Sequence, residues 1–380
     1  MSYFLTEEHE LIRATAKEFA DTEVAPVTRE LDENHEFPYE LIKRCAELGF
    51  LGISIPEEYG GAGADCVSEM IVMEEIARHN SSLASIIDAH TSLGCMPLLF
   101  AGTEEQKQKY LVPLAGGEKL CCFALTEPQA GSDSGATQTY AVLDGNEWVI
   151  NGSKCWITNL GHAEIYFVAV KTDREAKGSR GISILIVEKG TPGFEIGKPE
   201  AKMSNNSSHS GQLFFKDCRV PKENLLGEIN RGFPLFMQGV DEGRLAISAV
   251  AVGMAQGALE RSIAYAKQRV QFGKPIAQYQ AIAFYLAEMA TKVELGRTML
   301  YKTAFMRDAG LPYSKEAAML KLFTSEMANW VIDKAVQIHG GNGLSVEYEI
   351  ERFYRDARLL TIGEGTSEIC KLVISGHILK

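Results

Sequence analysis

The chain has 380 residues, 46% of them hydrophobic and 23% charged, with a formal net charge of −12 at pH 7. Such a composition fits an ordinary soluble globular chain, long enough for two or three domains. The acidic balance and the lack of any concentrated Lys or Arg run exclude a nucleic-acid footprint.

The first residues, Met1-Ser-Tyr-Phe-Leu-Thr-Glu-Glu-His-Glu, are acidic where a leader peptide would be basic, so a cytoplasmic location is expected. No apolar run is read as long enough to span a bilayer. Eight cysteines are scattered without a C-x-x-C pair. They are expected to be reduced thiols in the core, not a disulfide framework or a metal site.

Residues 1–118 read as helical. Apolar residues at helical spacing occupy 7–20, and a second helix opens on Pro38 and stops near Gly49. A glycine-rich loop, 56–64, precedes two further helices at 66–79 and 82–101. The pattern changes over 119–230. Short apolar runs alternate with turn signals, and Asp144-Gly145 and Asn151-Gly152 both read as hairpin turns. An antiparallel sandwich or barrel is the expected result. Residues 231–380 return to helix, with long segments at 246–271, 277–309 and 314–338 that suggest an antiparallel bundle.

Several motifs are candidates for chemistry. Gly363-Glu364-Gly365 presents one carboxylate between two glycines after an apolar segment. Glycines permit a sharp bend and close approach to a ligand, and a dry setting would make Glu364 basic enough for proton abstraction. A solvated surface turn is the alternative. Thr126-Glu-Pro-Gln-Ala-Gly-Ser-Asp-Ser-Gly offers free N–H groups and hydroxyls to an anionic or polyoxygenated ligand, or is a plain interdomain turn. Trp156-Ile-Thr-Asn sets a large ring beside a hydroxyl, which suits a planar cofactor or simple core. Asp241-Glu-Gly-Arg244 is expected at a helix start, where acidic residues offset the dipole or bind a polar ligand chain. Arg269-Val-Gln-Phe-Gly-Lys-Pro-Ile joins two helices, and Gln337-Ile-His-Gly-Gly-Asn-Gly ends the third with a glycine cap. His339 lacks a second ligand at metal-binding spacing, so no metal is expected. The absence of a Gly-x-Gly-x-x-Gly or P-loop motif disfavours a nicotinamide Rossmann domain or an NTPase.

Five of these motifs, at 126–133, 156–159, 269–276, 337–343 and 364–369 in chain order, resemble the acyl-CoA dehydrogenase family along essentially the whole chain, and most closely its short-chain, bacterial-type branch. The resemblance implies an α+β fold: an N-terminal helical domain (1–118), a middle β-sandwich or barrel domain (119–230) and a C-terminal four-helix-bundle-like domain (231–380). It implies non-covalent FAD in a homotetramer, an acyl-CoA substrate and an electron-transfer flavoprotein as partner. Residues 123–132 would line the flavin, with Phe123, Leu125, Thr126, Gly131 and Ser132 in contact and Ser132 also near the thioester. Trp156 and Thr158 would cover the ring system. Arg269, Gln280, Gln337, Gly340 and Gly341 would reach FAD from a neighbouring subunit, and Thr366, Ser367 and Glu368 would meet its diphosphate and adenosine end. Asp241 and Arg244 would bind the CoA chain, Gly365 would contact substrate, and Glu364 would take the α-proton while a β-hydride leaves to the flavin. A flavin-dependent acyl-CoA oxidase and a non-catalytic CoA-ester-binding relative are the alternatives.

Three positions depart from the family pattern. Gly363 stands where many relatives have tyrosine, which widens the wall beside the base and hints at a branched or cyclic acyl group. Asp88 falls on a helix that walls the acyl pocket; it is either a second or replacement base for an alicyclic thioester, or it faces solvent or pairs with His90. Met203-Ser-Asn-Asn-Ser-Ser replaces a Gly-x-Arg loop, so the resemblance does not carry over that loop's CoA contacts. Gly243 stands where another branch carries its base, which leaves that role to Glu364.

Overall fold

The computed structural model describes residues 5–379. The N-terminal part is built from α1 (Glu7–Phe19), α2 (Ala25–Asn34), α3 (Tyr39–Glu47), α4 (Cys66–Ala77), α5 (Ser81–His90) and α6 (Met96–Ala101), followed by the short α7 (Glu104–Gln106) and α8 (Val112–Ala115). Side-chain oxygens of Thr6, Asp65 and Asn80 cap α1, α4 and α5. Every residue of α4 is buried, so this helix lies in the middle of the helical layer and not on its surface.

The predicted helix over 82–101 is broken. Between α5 and α6 lies a wide π-type turn, Thr91–Cys95. Pro97 has no N–H for the carbonyl of Leu93, so the regular ladder fails there. Such bulges cluster at functional sites. The combined segment Ser81–Ala101 is long and apolar enough to cross a membrane, contrary to the sequence reading, but 78% of its most apolar window is buried inside the protein.

Eight strands follow: β1 (Cys121–Ala124), β2 (Tyr140–Asp144), β3 (Glu147–Thr158), β4 (Ile165–Lys171), β5 (Ile182–Glu188), β6 (Phe194–Pro199), β7 (Ser210–Pro221) and β8 (Leu225–Leu226). The sheet runs β6-β7-β3-β2-β4-β5-β8, with β1 added beside β4. Its pairings are antiparallel except β1–β4 and β2–β4, which are parallel, so the expected all-antiparallel pattern is only partly met. β4 and β5 are buried on both faces, which explains their unbroken Ile/Val/Leu runs. Gly145 makes the β2–β3 turn with φ 63°, as its motif predicted. Gly152 does not turn the chain. It sits inside β3 at a register shift against β7, and a Cβ there would lie 2.6 Å from the Thr139 hydroxyl oxygen.

The C-terminal part comprises α9 (Gly232–Gln268), α10 (Gln280–Asp308), α11 (Ser314–His339), α12 (Ile350–Ala357) and α13 (Ser367–Ile378). α9 has 37 residues, about 55 Å of helix, and begins well before the predicted residue 246. Its glycine-rich start conceals the helix in sequence terms, because those glycines serve packing. Gly232 abuts the Ser183 backbone, Gly239 faces Pro97 and Phe123, and Gly253 and Gly257 let α4 approach backbone to backbone. A Cβ at 253 would stand 2.2 Å from the Glu74 carbonyl oxygen, and one at 257 the same distance from that of Arg78. Gly253→Ala is therefore expected to lower stability by about 2 kcal/mol or more through overpacking. A thermal melt of purified protein checks this, and an unchanged midpoint would contradict the close-approach account.

Candidate active site

Glu364 lies in the short connection between α12 and α13, where Thr366 caps α13 by accepting from Ile369 N–H. Its φ is 54°, a left-handed conformation costly for a residue with a side chain. Gly365 beside it has φ 96°, and its carbonyl accepts from the buried Lys321 ammonium at 2.5 Å. A Cβ at Gly365 would sit 3.5 Å from Arg244 Nη2. These contacts fix the strained bend and aim the Glu364 carboxyl inward, against α9.

There it closes over Gly243. A Cβ at that position would lie 2.4 Å from Glu364 Oε2. A side chain at 243 and this placement of Glu364 therefore exclude each other. The sequence had placed Asp241-Glu-Gly-Arg244 at a helix start; it lies instead three turns into α9, so dipole compensation does not explain it. Arg244 donates to Asp241 at 2.8 Å, while its buried Nε has no hydrogen-bond partner among the described residues. An unsatisfied buried donor of that kind suits a polar ligand.

Asp88, on α5, is 2% exposed. The non-catalytic reading from the sequence does not hold: Asp88 does not face solvent, and His90 turns away to bond the Leu114 carbonyl and the Cys121 N–H. Asp88 instead reaches Glu364 within hydrogen-bonding range. Burial, then the Glu364 charge, pushes its carboxyl well above the usual carboxylate range. Burial raises the Glu364 carboxyl as well, against the opposing pull of Asp88, Lys321 and Arg244. Asp88 Oδ1 and Glu364 Oε2 are both buried without a donor. One proton held between the two groups relieves both, because two adjacent acids in a dry site cannot both ionise.

The sheet supplies the facing wall. A second register shift in β3, between Lys154 and Ile157, throws Trp156 out of the ladder with φ 59° and leaves it 60% exposed. A large ring held in that conformation and left open is a strained, presented surface. Thr158 follows it and contacts the Ser210 hydroxyl. Phe123 and Leu125 lie on and just after β1, and Thr126 opens the polar loop. Gly131, Ser132 and Asp133 are exposed at its tip. Glu127, unremarked in the sequence, knots this loop. It pairs with Lys154 at 2.7 Å and accepts from the Gln138 and Thr139 N–H groups. Burial lowers the Lys154 ammonium to about 8 although Glu127 pulls the other way. Lys321 was also missed. A lysine inside an amphipathic helix gives no sequence signal of burial.

The remaining expected contacts gather elsewhere. Arg269, Gly340 and Gly341 line an open groove of ≈390 Å³ with Tyr265, Phe272 and His339. Gln280 and Gln337 are exposed on α10 and α11. Ser367 is buried and Glu368 exposed in the first turn of α13. In the 203–208 loop Asn205 points inward and donates to Asp356 and Ser85. His90, Cys95 and Cys121 bring their ligand atoms within 4.8 Å, a cluster that spacing did not reveal. Both ring nitrogens of His90 are already committed to the main chain. All eight cysteines are buried and free.

The acid pair, the strained and exposed Trp156 and the glycine-bearing 126–135 loop are the candidate elements of a site. The N-terminal, middle and C-terminal domains of acyl-CoA dehydrogenases match residues 6–118, 122–218 and 230–379. The chain belongs to the acyl-CoA dehydrogenase family, FAD-using oxidoreductases that act on CH–CH donors. It is 48% identical over 380 residues to a probable acyl-CoA dehydrogenase of Bacillus subtilis and 47% identical to a short-chain specific acyl-CoA dehydrogenase of Clostridium acetobutylicum, covering all of each chain. Its fold matches butyryl-CoA dehydrogenase from Megasphaera elsdenii with a TM-score of 0.98, 41% identity and full coverage of both chains. An acyl-CoA dehydrogenase complexed with FAD from Bacillus anthracis matches with a TM-score of 0.94 and 39% identity, covering 100% of this chain and 68% of that one.

The acid pair has a consequence for stability. A carboxyl whose folded pKa is raised stabilises the fold below its unfolded pKa, and that contribution is lost as pH rises through the folded value. Asp88→Asn removes the forced proton, so it is expected to raise the melting temperature above pH 7 relative to the parent, by roughly 2 °C or more. Below pH 4 the difference should vanish. A parent-like melting curve across the whole range would contradict the shared proton.

Proposed function

We propose that this enzyme removes hydrogen from the α and β carbons of a short acyl-CoA thioester, with a branched or cyclic acyl group such as cyclohexanecarboxyl-CoA favoured over a plain linear chain. The observation that carries the reading is the Glu364 carboxyl, half-buried with its Oε2 shut off from solvent, raised above the usual carboxylate range and paired with Asp88. The cyclic preference is supported by Asp88 and by the missing side chain at Gly363, where a Cβ would meet Leu359 at an ordinary contact distance of 3.5 Å.

An α-proton next to a thioester is a weak acid. Burial makes Glu364 a stronger base than a solvated glutamate. Its main-chain N–H is the donor this chain offers to the carbonyl oxygen as negative charge builds there. Asp241 and Arg244 orient the polar CoA chain, and the unpartnered Arg244 Nε is the donor left for it. Trp156, Thr158, Phe123, Leu125 and residues 126–132 fit the flavin, and residues 366–368 its diphosphate end. When bound, FAD accepts the β-hydrogen as hydride. Asp88 holds the proton partner of Glu364, or takes a second proton from a ring carbon. The groove lined by Arg269, Gly340 and Gly341, with Gln280 and Gln337 exposed on the helices beside it, serves the FAD of a neighbouring subunit in a homotetramer. Large exposed side chains, Phe272 at 96% and Leu344 at 76%, support such a covered surface. An electron-transfer flavoprotein as acceptor and a cytoplasmic location complete the proposal.

Purified protein mixed anaerobically with butyryl-CoA and with cyclohexanecarboxyl-CoA tests this reading. Bleaching of the flavin by one or both is expected, faster as pH rises because Glu364 must be ionised. Glu364→Gln should slow it roughly 10²–10⁴-fold. A colourless folded protein, or unchanged bleaching in the variant, would overturn the assignment. Peroxide formed without an added acceptor would favour the oxidase reading instead.

A further inference from the structure

Beneath the acid pair lies a buried polar chain that the reaction itself does not require. Ser92, in the π-type turn, is 1% exposed and donates its hydroxyl hydrogen to Glu69 Oε1 at 2.8 Å. It lies one turn beyond Asp88 and close enough to influence the Asp88 carboxyl. Its single hydrogen is spent on Glu69, so toward Asp88 the Ser92 oxygen presents lone pairs. That orientation accepts a proton from Asp88 while passing one on. Glu69 is 3% exposed on the fully buried α4. Its charge is felt by Arg307 and Glu242. Arg307 bonds Glu242 and Asp308, and the side chains of Arg307 and Asp308 are 18% and 21% exposed. Buried carboxylates are costly and persist where they are paired or functional.

We propose that Asp88, Ser92 and Glu69 form a proton relay that drains Glu364 toward the Arg307–Asp308 edge while substrate and cofactor close the other side. This rests on the dehydrogenase reading above. Asp88, which holds the shared proton at rest, protonates the Ser92 oxygen as the original Ser92 O–H bond breaks toward Glu69 Oε1. The newly protonated Glu364 then passes its proton to the emptied Asp88 carboxylate. Glu364 ends ionised, Asp88 and Glu69 end protonated, and no electrons move. Ser92 and Glu69 touch neither substrate nor cofactor in this scheme; they act through Asp88.

Internal return supplies the test. The loaded enzyme is held anaerobically with butyryl-CoA in D2O. Flavin bleaching reports hydrogen removal, and mass spectrometry reports deuterium gained at the α-carbon. Without a relay the abstracted proton is trapped and goes back to carbon. Ser92→Ala should keep bleaching within about 2-fold of the parent yet lower α-exchange per turnover about 10-fold. Ser92→Thr, which keeps the hydroxyl, should restore exchange, and Glu69→Gln should behave like Ser92→Ala. Where Ser92→Ala fails to fold, Glu69→Gln carries the same expectation. Parental exchange in folded Ser92→Ala or Glu69→Gln overturns the relay alone. A parent that neither bleaches nor exchanges overturns the dehydrogenase reading and the relay with it.

Discussion

Two carboxyl groups pressed together away from water are the constraint around which the rest of this molecule is arranged. Asp88 and Glu364 come from opposite ends of the sequence, one on α5 and the other beyond α12. Each loses solvation on burial; the Glu364 charge makes Asp88 harder to ionise, while Asp88, holding the proton, eases the ionisation of Glu364. A fold that tolerates this must hold both groups firmly, because either would otherwise turn outward. α9 provides the floor. Its glycines admit α4 at positions 253 and 257 and the Glu364 carboxyl at 243, and its Arg244 lies against Gly365.

Strain is concentrated at the same place. Glu364 and Trp156 are both non-glycine residues with positive φ, each costing on the order of 1 kcal/mol. They flank the site from two different domains. Lys321 holds the first bend through a carbonyl, and the Glu127–Lys154 pair ties down the loop beside the second. Buried ion pairs contribute little net stability but break badly when one partner is lost. Their value here is positional: they keep a loop and a bulge from relaxing into ordinary turn and strand.

Much of this was legible in the residues. Helical spacing and the return to helix after the sheet gave the three-part order, and the glycines around Glu364 signalled a presented carboxylate. What failed has a common cause. Gly152 looked like a turn because asparagine-glycine usually is one, but here the missing side chain makes room for Thr139. The start of α9 looked weak because its glycines serve tertiary contacts that local propensity cannot register. The break at Thr91–Cys95 depends on one proline and on neighbours distant in sequence. Asp88 could be singled out as odd on an apolar helix, but which carboxyl it meets is a property of the folded chain. The Lys154, Lys321 and Glu69 side chains look like solvated charges until their burial is known.

Infrared difference spectroscopy of the carboxyl stretch at neutral pH addresses the central claim most directly. One proton shared between Asp88 and Glu364 predicts a protonated-carboxyl band in the parent that shifts in D2O and is altered or lost in Asp88→Asn and in Glu364→Gln alike. A parent without such a band, or a band that neither substitution touches, would mean that the two acids do not hold a proton between them.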